Sequence, residues 1–277
     1  MTRELTPWDD VNAIVGDLAA RSRDLLGDEL PALYLHGSLA TNAFDPQRSD
    51  IDFIAIMAHP LSDATIDALR TMHRALLREG APWAQRLEGS FVHAALLKRA
   101  APPAEPRPYI NGESFRIARY GHEWVLEKQV IRAGAIVVMG PPPSAFIDPI
   151  PPEEIVAANR AILAGDWAPL LDDASHLEDD EYQAYAVLTM CRCLYLAAHG
   201  EMASKPAAAR WAQEAYPQWR GLIEHAAAWV HGQPFDRLHE VRALIALSLD
   251  QTFGVSQTPK VFRGRGAVSV VDDDVEG

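Results

Sequence analysis

Two short motifs near the N-terminus contain the residues best suited to chemistry. His36-Gly37-Ser38 is followed eleven residues later by Ser49-Asp50-Ile51-Asp52-Phe53. Side chains two apart on a strand point to the same face, so we expect Asp50 and Asp52 to project together. Two adjacent carboxylates repel each other unless a cation lies between them, and Mg²⁺ prefers oxygen ligands that it shares with substrate phosphates. The spacing therefore predicts a magnesium site that handles a phosphorylated substrate.

The flanking residues indicate the elements that position this site. The apolar run Leu33–Leu35 predicts a buried strand that ends at the first motif, and Ile51–Met57 predicts a second strand. Gly37 lets the backbone approach a phosphate, and Ser38 offers a hydroxyl and an N–H group to its oxygens. A lone Asp-x-Asp is common in proteins, but its combination with Gly-Ser at a strand end resembles the nucleotidyltransferase superfamily that includes DNA polymerase beta.

Composition limits the classes of partner. The chain has 277 residues, of which 48% are hydrophobic and 23% charged, as in soluble globular proteins. A net charge of −13 argues against duplex nucleic acid as a partner and suits a cationic small molecule. No apolar stretch reaches the roughly 18–20 residues that span a membrane. We therefore expect neither a nucleic-acid partner nor a membrane partner.

The cysteines and the N-terminus indicate the compartment. Only Cys191 and Cys193 occur, and on a helix residues two apart face different sides, which disfavours a disulfide or a zinc site. We expect both to be buried small hydrophobic residues. The N-terminus lacks the apolar core of a signal peptide. These features predict a cytoplasmic protein.

The hydrophobic pattern predicts an α+β fold. Helical spacing occurs at 8–28 and 61–79, and an apolar run at 87–97 predicts a third strand before a proline-rich loop at 100–108. After Pro151-Pro152 the pattern is helical at 153–163, 180–199, 206–215, 217–230 and 235–253. We predict a nucleotidyltransferase α/β domain with a small mixed sheet (1–150), a C-terminal α-helical bundle domain (151–256) and a flexible tail (257–277).

Glu88 is the candidate catalytic base. Transfer of a nucleotidyl group to an alcohol requires a group that removes the hydroxyl proton. Glu88 begins the predicted third strand, beside the strands that carry the two motifs. The alternative for this segment alone is a surface glutamate at a strand edge, and the position within the motif pattern favours the catalytic interpretation.

Further motifs carry a more specific resemblance. The segments Tyr185–Arg192 and Ser204–Ala212, with Gly140-Pro141-Pro142-Pro143 before them, occur in the same order as in the aminoglycoside 3''-adenylyltransferases. The likeness extends from about Leu33 to Val230. Those enzymes modify streptomycin and spectinomycin, and they bind ATP and the antibiotic in a cleft between an N-terminal nucleotidyltransferase domain and a helical domain.

The resemblance implies roles for individual residues. Lys205 takes the place of a lysine that reaches the ATP phosphates, whereas Arg192 is either structural or phosphate-binding. Glu88 takes the place of the base and adds a third carboxylate to the magnesium site of Asp50 and Asp52. The triphosphate contacts fall on Gly37, Ser38 and Ser49. The segment that lines the antibiotic site carries four acids, Glu178, Asp179, Asp180 and Glu181.

Two departures from the family pattern concern the acceptor. Streptomycin-modifying members have a tryptophan where this chain has Asn111–Phe115. Without a gap, two acidic drug contacts fall on Glu178 and Tyr182, so one acid is replaced, whereas a small gap would place Glu181 at the second position. We predict an ATP- and Mg²⁺-dependent enzyme that adenylylates a hydroxyl of an aminoglycoside or aminocyclitol, with spectinomycin favoured over streptomycin, and thereby confers resistance. The alternatives are the same chemistry on another metabolite or a protein side chain, and a non-catalytic binding protein on the same fold.

Overall fold

The computed structural model describes residues 4–254. Its centre is a six-stranded mixed sheet with the strand order β5-β4-β3-β2-β1-β6. The strands are β1 Ala32–Leu35, β2 Ile51–Met57, β3 Leu87–His93, β4 Arg107–Asn111, β5 Ser114–Ala118 and β6 Ile136–Met139.

Strand pairing places the two motif strands beside the third strand. β2 and β3 are parallel, and their register sets Asp52 directly beside Glu88. The neighbouring strands pair antiparallel on both sides of this parallel pair. Because side chains alternate along each strand, Asp52 and Glu88 lie on one face of the sheet and Phe53 and Leu87 on the other.

Helices cover both faces of the sheet. On the face of Phe53, α1 (Asp9–Leu26) and α3 (Asp63–Arg78) bury their apolar stripes in one core cluster with the strands. On the face of Asp52, the core forms around α4 (Trp124–Gly134). Ser62 caps α3, since its side chain accepts a hydrogen bond from the backbone N–H of Thr65. A fourth helix of one turn, α2 (Gly37–Ala40), follows β1.

Within the described residues, the C-terminal part consists of helices joined by loops, without a strand. Its core surrounds α6, which contributes a row of buried residues from Gln183 to Leu196. Gly200 ends α6 in the left-handed conformation that glycine adopts readily. The helices are α5 Pro152–Ile162, α6 Asp180–His199, α7 Lys205–Ala215, α8 Arg220–Ala228 and α9 Leu238–Phe253.

Helix α5 joins the two parts. Ala158 packs in the core cluster on the sheet, whereas Ile162, one turn later, packs in the helical core. A π-helical turn at Leu163–Trp167 follows α5 directly. The predicted division at residue 150 remains a prediction, since one helix contributes to both cores.

The predicted fold class is confirmed, and β2 and α6 have the predicted bounds. The prediction was wrong at 87–97, because β3 ends at His93 and Ala94–Lys98 form a 3₁₀ turn. It also missed the β4–β5 hairpin, whose first strand begins inside the predicted loop at Arg107. The prolines at 100–108 obscured this strand in the sequence. Pro108 pairs with Ile117 of β5 but lies outside the stretch Tyr109–Asn111 that pairs with β3, so its missing N–H is tolerated on the side of β3.

Three further sequence predictions have outcomes of different kinds. Cys191 and Cys193 are free and buried, as expected for small hydrophobic residues. The predicted tail at 257–277 lies outside the described residues. Between residues 4 and 254, no helix is long and apolar enough to cross a membrane.

Buried His73 on α3 makes stability depend on pH. Its Nε2 atom donates to the carbonyl of Gly112 (2.9 Å), and only 1% of the residue is exposed. Burial lowers the pKa of His73, and the neighbouring Arg74 acts in the same direction, whereas the hydrogen bond opposes them. The ordinary pKa of a histidine in an unfolded chain is about 6.5. Below that pH, the unfolded chain therefore binds a proton at His73 more readily than the folded chain does.

We expect the free energy of unfolding to fall as the pH decreases below about 6.5, and His73→Gln to weaken this dependence. Urea denaturation on either side of that pH measures the effect. His239→Gln, on the exposed side of α9, is the matched control and should retain the wild-type dependence. An unchanged pH dependence in His73→Gln would assign the acid sensitivity to other groups.

Candidate active site

Two of the predicted carboxylates are direct neighbours on the sheet. Asp52 on β2 and Glu88 on β3 are register partners in adjacent parallel strands, which lie about 4.8 Å apart. The backbone N–H of His36, at the end of β1, donates to the carbonyl of Asp52 (3.0 Å). Sheet pairing therefore brings the first motif, the second motif and the third strand to one place.

Gly37 fits only as glycine. Its φ is +60°, and a Cβ atom added there would lie 1.9 Å from Oδ2 of Asp52. A side chain would displace the carboxylate, so the absence of one brings the backbone of the Gly37-Ser38 turn next to Asp52. Ser38 follows in the one-turn helix α2. The predicted phosphate-binding turn and the predicted magnesium ligand are thus in contact.

Asp50 lies in the turn just before β2, and Arg86 holds that turn. The Arg86 guanidinium donates to the carbonyls of Pro46 (2.7 Å) and Ser49, and its Nε atom lies 3.6 Å from Oδ1 of Asp50. The hydroxyl of Ser49 accepts from the backbone N–H of Asp45 (3.0 Å). Sequence reasoning missed Arg86, because only the folded turn reveals that one side chain supports both Ser49 and Asp50.

The environment of the carboxylates disfavours their charge. Burial raises the pKa of Asp50; Arg86 opposes this shift, and Asp52 and Glu181 add to it. Burial also raises the pKa of Glu88; a hydrogen bond from Tyr109 opposes the shift, and Asp52 and Asp50 add to it. Repulsion among Asp50, Asp52 and Glu88 therefore adds to the effect of burial on the pKa values of Asp50 and Glu88.

The donor set fits a magnesium ion that arrives with a nucleotide. Within residues 4–254, no three His, Cys, Asp or Glu side chains form a group that could hold a metal by themselves. Mg²⁺ is usually held by one or two carboxylates together with substrate phosphates, so Asp50 and Asp52 suffice as the protein ligands. Asp50, Asp52 and Glu88 offer oxygen donors, the type of ligand that Mg²⁺ prefers.

Lys205 approaches the carboxylates from the helical part. It is the first residue of α7, and its Nζ atom lies 5.0 Å from the ring centre of Tyr185 on α6. Desolvation lowers the pKa of Lys205, and Arg192 acts in the same direction, whereas the carboxylates of Asp52 and Glu88 oppose it. Lys205 therefore lies near enough to Arg192 and to the carboxylates for their charges to affect its pKa.

The four predicted acceptor acids lie around the start of α6, and two of them are used by the backbone. Asp179 caps α6 by accepting from the N–H of Tyr182 (2.7 Å), and Asp180 accepts from the N–H of Phe235 (2.7 Å). Glu181 lies 3.2 Å from Nδ1 of His231 and is near enough to Asp50 to raise the pKa of that carboxyl. Glu178 ends a 3₁₀ turn just before this cap.

Sequence analysis singled out Tyr182 in the helical part but missed its aromatic neighbour Trp167. Trp167 stacks on Tyr182 with ring centres 5.8 Å apart, and Tyr185 lies 5.8 Å from Tyr182. Trp124 is the tryptophan nearest in sequence to Asn111–Phe115, the segment in which streptomycin-modifying members have a tryptophan. It is 1% exposed and belongs to the core on the sheet. Trp124 therefore offers no surface to a ligand, whereas Tyr185 is 44% exposed.

A second contact joins the two parts beside this aromatic group. Nδ1 of His122, which precedes α4, lies 2.8 Å from Oδ1 of Asp166 in the π-helical turn. Gly165 packs against His122 so closely that a Cβ atom there would lie 2.3 Å from the imidazole ring.

The fold resembles a solved structure of a transferase. A spectinomycin adenyltransferase AAD(9) from Enterococcus faecialis, solved with ATP and spectinomycin, matches with a TM-score of 0.70 and 18% identity. The match covers 87% of this chain and 98% of that one. At this identity the likeness establishes the fold.

The helical part also resembles a known family. Residues 145–252 match the family model of the aminoglycoside adenylyltransferase C-terminal domain. No curated protein sequence matches this chain significantly. The family match begins at Ala145 and so includes α5 to α8 and nearly all of α9, together with Lys205 and Arg192, whereas the carboxylates lie in the preceding sheet.

Proposed function

We propose that this protein is a nucleotidyltransferase that transfers the adenylyl group of ATP, with magnesium, to a hydroxyl of a cationic aminocyclitol or aminoglycoside. The observation that carries the proposal is the register that pairs Asp52 with Glu88, beside Asp50 and opposite Lys205. A pair of metal-binding carboxylates next to a candidate base is the set that hydroxyl nucleotidyl transfer requires. The AAD(9) structure, which contains ATP and spectinomycin, supports this choice of nucleotide and acceptor.

In the proposed reaction, Glu88 removes the proton from the acceptor hydroxyl. The freed oxygen forms a bond to the α-phosphorus of ATP, and the bond from that phosphorus to the β-phosphate oxygen breaks, so pyrophosphate leaves. Asp50 and Asp52 would hold magnesium, which neutralises the charge of the triphosphate when bound. The N–H and hydroxyl groups of the Gly37-Ser38 turn orient phosphate oxygens beside those carboxylates.

Lys205 and Arg192 supply the cationic side of the proposed nucleotide site. Both belong to the helical part, and Arg192 is near enough to Lys205 and Tyr185 to influence the pKa of each. We propose that Arg192 binds phosphate, because a guanidinium near Lys205 matches the geometry of phosphate oxygens. ATP that contacts the sheet carboxylates and these cations would hold the two parts of the protein together.

The acceptor is proposed to carry ammonium groups. Of the four acids around the start of α6, Asp179 and Asp180 are engaged by backbone N–H groups, so Glu178 and Glu181 remain the principal partners for a cation. Buried ammonium groups need carboxylate partners to offset their desolvation. The missing tryptophan removes aromatic surface from the position at which family members contact streptomycin, which favours spectinomycin.

The test is release of pyrophosphate from ATP by the purified protein in the presence of each acceptor. We expect turnover with spectinomycin to exceed turnover with streptomycin, and expression in a susceptible bacterium to raise spectinomycin tolerance. The Asp52→Ala protein serves as the inactive control. If neither drug causes release of pyrophosphate and expression raises tolerance to neither, the acceptor is another metabolite or a protein side chain. A screen of other hydroxyl compounds would then identify it.

Lys205→Ala should weaken the use of ATP and leave the choice of acceptor unchanged. Loss of a charged phosphate contact at a partly solvated site should raise the KM for ATP by roughly tenfold. Steady-state rates over a range of ATP concentrations measure this change. Lys98→Ala, which removes the exposed ion pair with Asp148, is the control and should keep the wild-type KM. An equal KM in the two variants would remove Lys205 from the nucleotide site.

A further inference from the structure

Glu88 has a hydrogen-bond donor that the proposed mechanism leaves without a role. The phenol of Tyr109 on β4 donates to Oε1 of Glu88. The antiparallel register pairs Tyr109 with Ser90 and Glu88 with Asn111, so the phenol reaches diagonally across the sheet to the carboxylate. Glu88, Ser90 and Tyr109 lie on the same face, which is the face of Asp52.

Two arginines hold the Tyr109 ring. The guanidinium carbon of Arg107 lies 5.3 Å from the ring centre, and that of Arg116 lies 5.2 Å from it. Arg116 is the register partner of Tyr109 on β5, and Arg107 precedes Tyr109 by two residues on the same face of β4. Cation–π contacts at both distances are attractive, so the ring is restrained by both neighbours.

Arg107 is itself fixed in the interior. Only 6% of the residue is exposed, its Nε atom donates to the hydroxyl of Ser90 (2.8 Å), and its Nη1 atom donates to the carbonyl of Arg119 (2.7 Å). Its guanidinium also lies 4.2 Å from the ring centre of Tyr120. These partners fix the position of the Arg107 guanidinium, and its contact with the Tyr109 ring therefore restrains that ring.

A carboxylate that acts as a base must present a defined oxygen to the proton that it removes. Glutamate rotates about its terminal torsion with little preference, so a free Glu88 carboxylate would sample many orientations. The bond from Tyr109 engages Oε1 and leaves Oε2 for the reacting hydroxyl. Catalysis requires the Glu88 carboxylate to be held in a productive geometry, and the hydrogen bond from Tyr109 meets this requirement.

We propose that Tyr109 is a positioning residue for the base, acting through Glu88 and supported by Arg107 and Arg116. The expected effect on kcat rests on the proposed function. The expected orientation of the Glu88 carboxylate rests only on the hydrogen bond and the cation–π contacts. Tyr109 contacts neither the nucleotide nor the acceptor in this proposal, so its loss changes the rate of transfer and leaves ATP binding intact.

The first experiment replaces only the hydroxyl. Tyr109→Phe retains the ring and both cation–π contacts, and we expect kcat to fall by roughly 10–100-fold, as for partners that orient a catalytic or metal-binding group. The KM for ATP should remain that of wild type. Tyr34→Phe is the matched control: it removes a buried phenol that donates to the carbonyl of Pro141 (2.6 Å), away from the carboxylates, and should keep wild-type kcat.

A double-mutant cycle separates positioning from a general structural effect. If Tyr109 acts through Glu88, Tyr109→Phe should have no additional effect on kcat in a Glu88→Gln protein. Independent, multiplicative losses would contradict the proposal, as would a Tyr109→Phe enzyme with wild-type kcat. A rise in the KM for ATP without a loss of kcat would instead make Tyr109 part of the nucleotide site and would also overturn it.

A structural readout keeps this inference apart from the proposed function. In crystal structures, Glu88 should occupy one orientation in the wild type and more than one, or a different one, in Tyr109→Phe. A single unchanged Glu88 orientation would contradict the inference whether or not an acceptor is known. Absence of turnover in the wild type, by contrast, would contradict the proposed function and leave this structural comparison to decide the role of Tyr109.

Discussion

We expect Asp52→Ala to abolish adenylyl transfer while the protein remains folded. Turnover should fall below about one thousandth of wild type, a larger loss than the roughly 10–100-fold that follows removal of an outer partner of a metal ligand. Asp52 lies between Glu88 and the Gly37 turn, so its loss removes a proposed metal ligand from the centre of the site. It also relieves repulsion from the neighbouring carboxylates, so we expect thermal stability to be equal or higher.

The measurement combines pyrophosphate release at several magnesium concentrations with thermal unfolding. Asp67→Ala is the matched control, because Asp67 is exposed on α3, on the opposite face of the sheet. That variant should keep both the activity and the magnesium dependence of wild type. Magnesium-dependent turnover that survives in Asp52→Ala would exclude Asp52 as a required ligand and would leave Asp50 and Glu88 as the remaining carboxylates.

Glu88→Gln should separate binding from chemistry. Glutamine keeps the shape of the side chain and can still accept a hydrogen bond from Tyr109, but it cannot take up the proton of the acceptor. Turnover should therefore fall by roughly 10²–10⁴-fold while ATP still binds. Calorimetry of ATP binding and steady-state rates on the same preparation give both quantities.

The outcome also distinguishes the two roles suggested for Glu88. If ATP binding is lost in a folded Glu88→Gln protein, Glu88 acts chiefly as a ligand of the metal that accompanies the nucleotide. Glu224→Gln, an exposed position on α8, is the control for the same chemical change and should bind ATP and turn over as wild type does. Undiminished turnover in Glu88→Gln would require a different base.

Local pattern was enough to predict much of the fold and the type of chemistry. The alternation and apolar content of Ile51–Met57 predicted β2 with its observed bounds, and the helical spacing around Asp180–His199 did the same for α6. The motif at Gly37 and Asp52 indicated phosphate and magnesium chemistry because a turn and a strand bring those groups together over a short stretch of chain. Such features depend on interactions between residues close in sequence, which the sequence displays directly.

The tertiary structure decided which distant residues complete the site. The parallel pairing of β2 with β3 sets Glu88 beside Asp52, and the hairpin that brings Tyr109 to Glu88 was hidden by the prolines around it. The tertiary structure also showed that Asp179 and Asp180, which the sequence predicted as acceptor contacts, accept hydrogen bonds from backbone N–H groups. Strand order and helix docking arise from burial of apolar surface between segments far apart in the chain. Local periodicity does not identify those partners, so the sequence alone could not predict them.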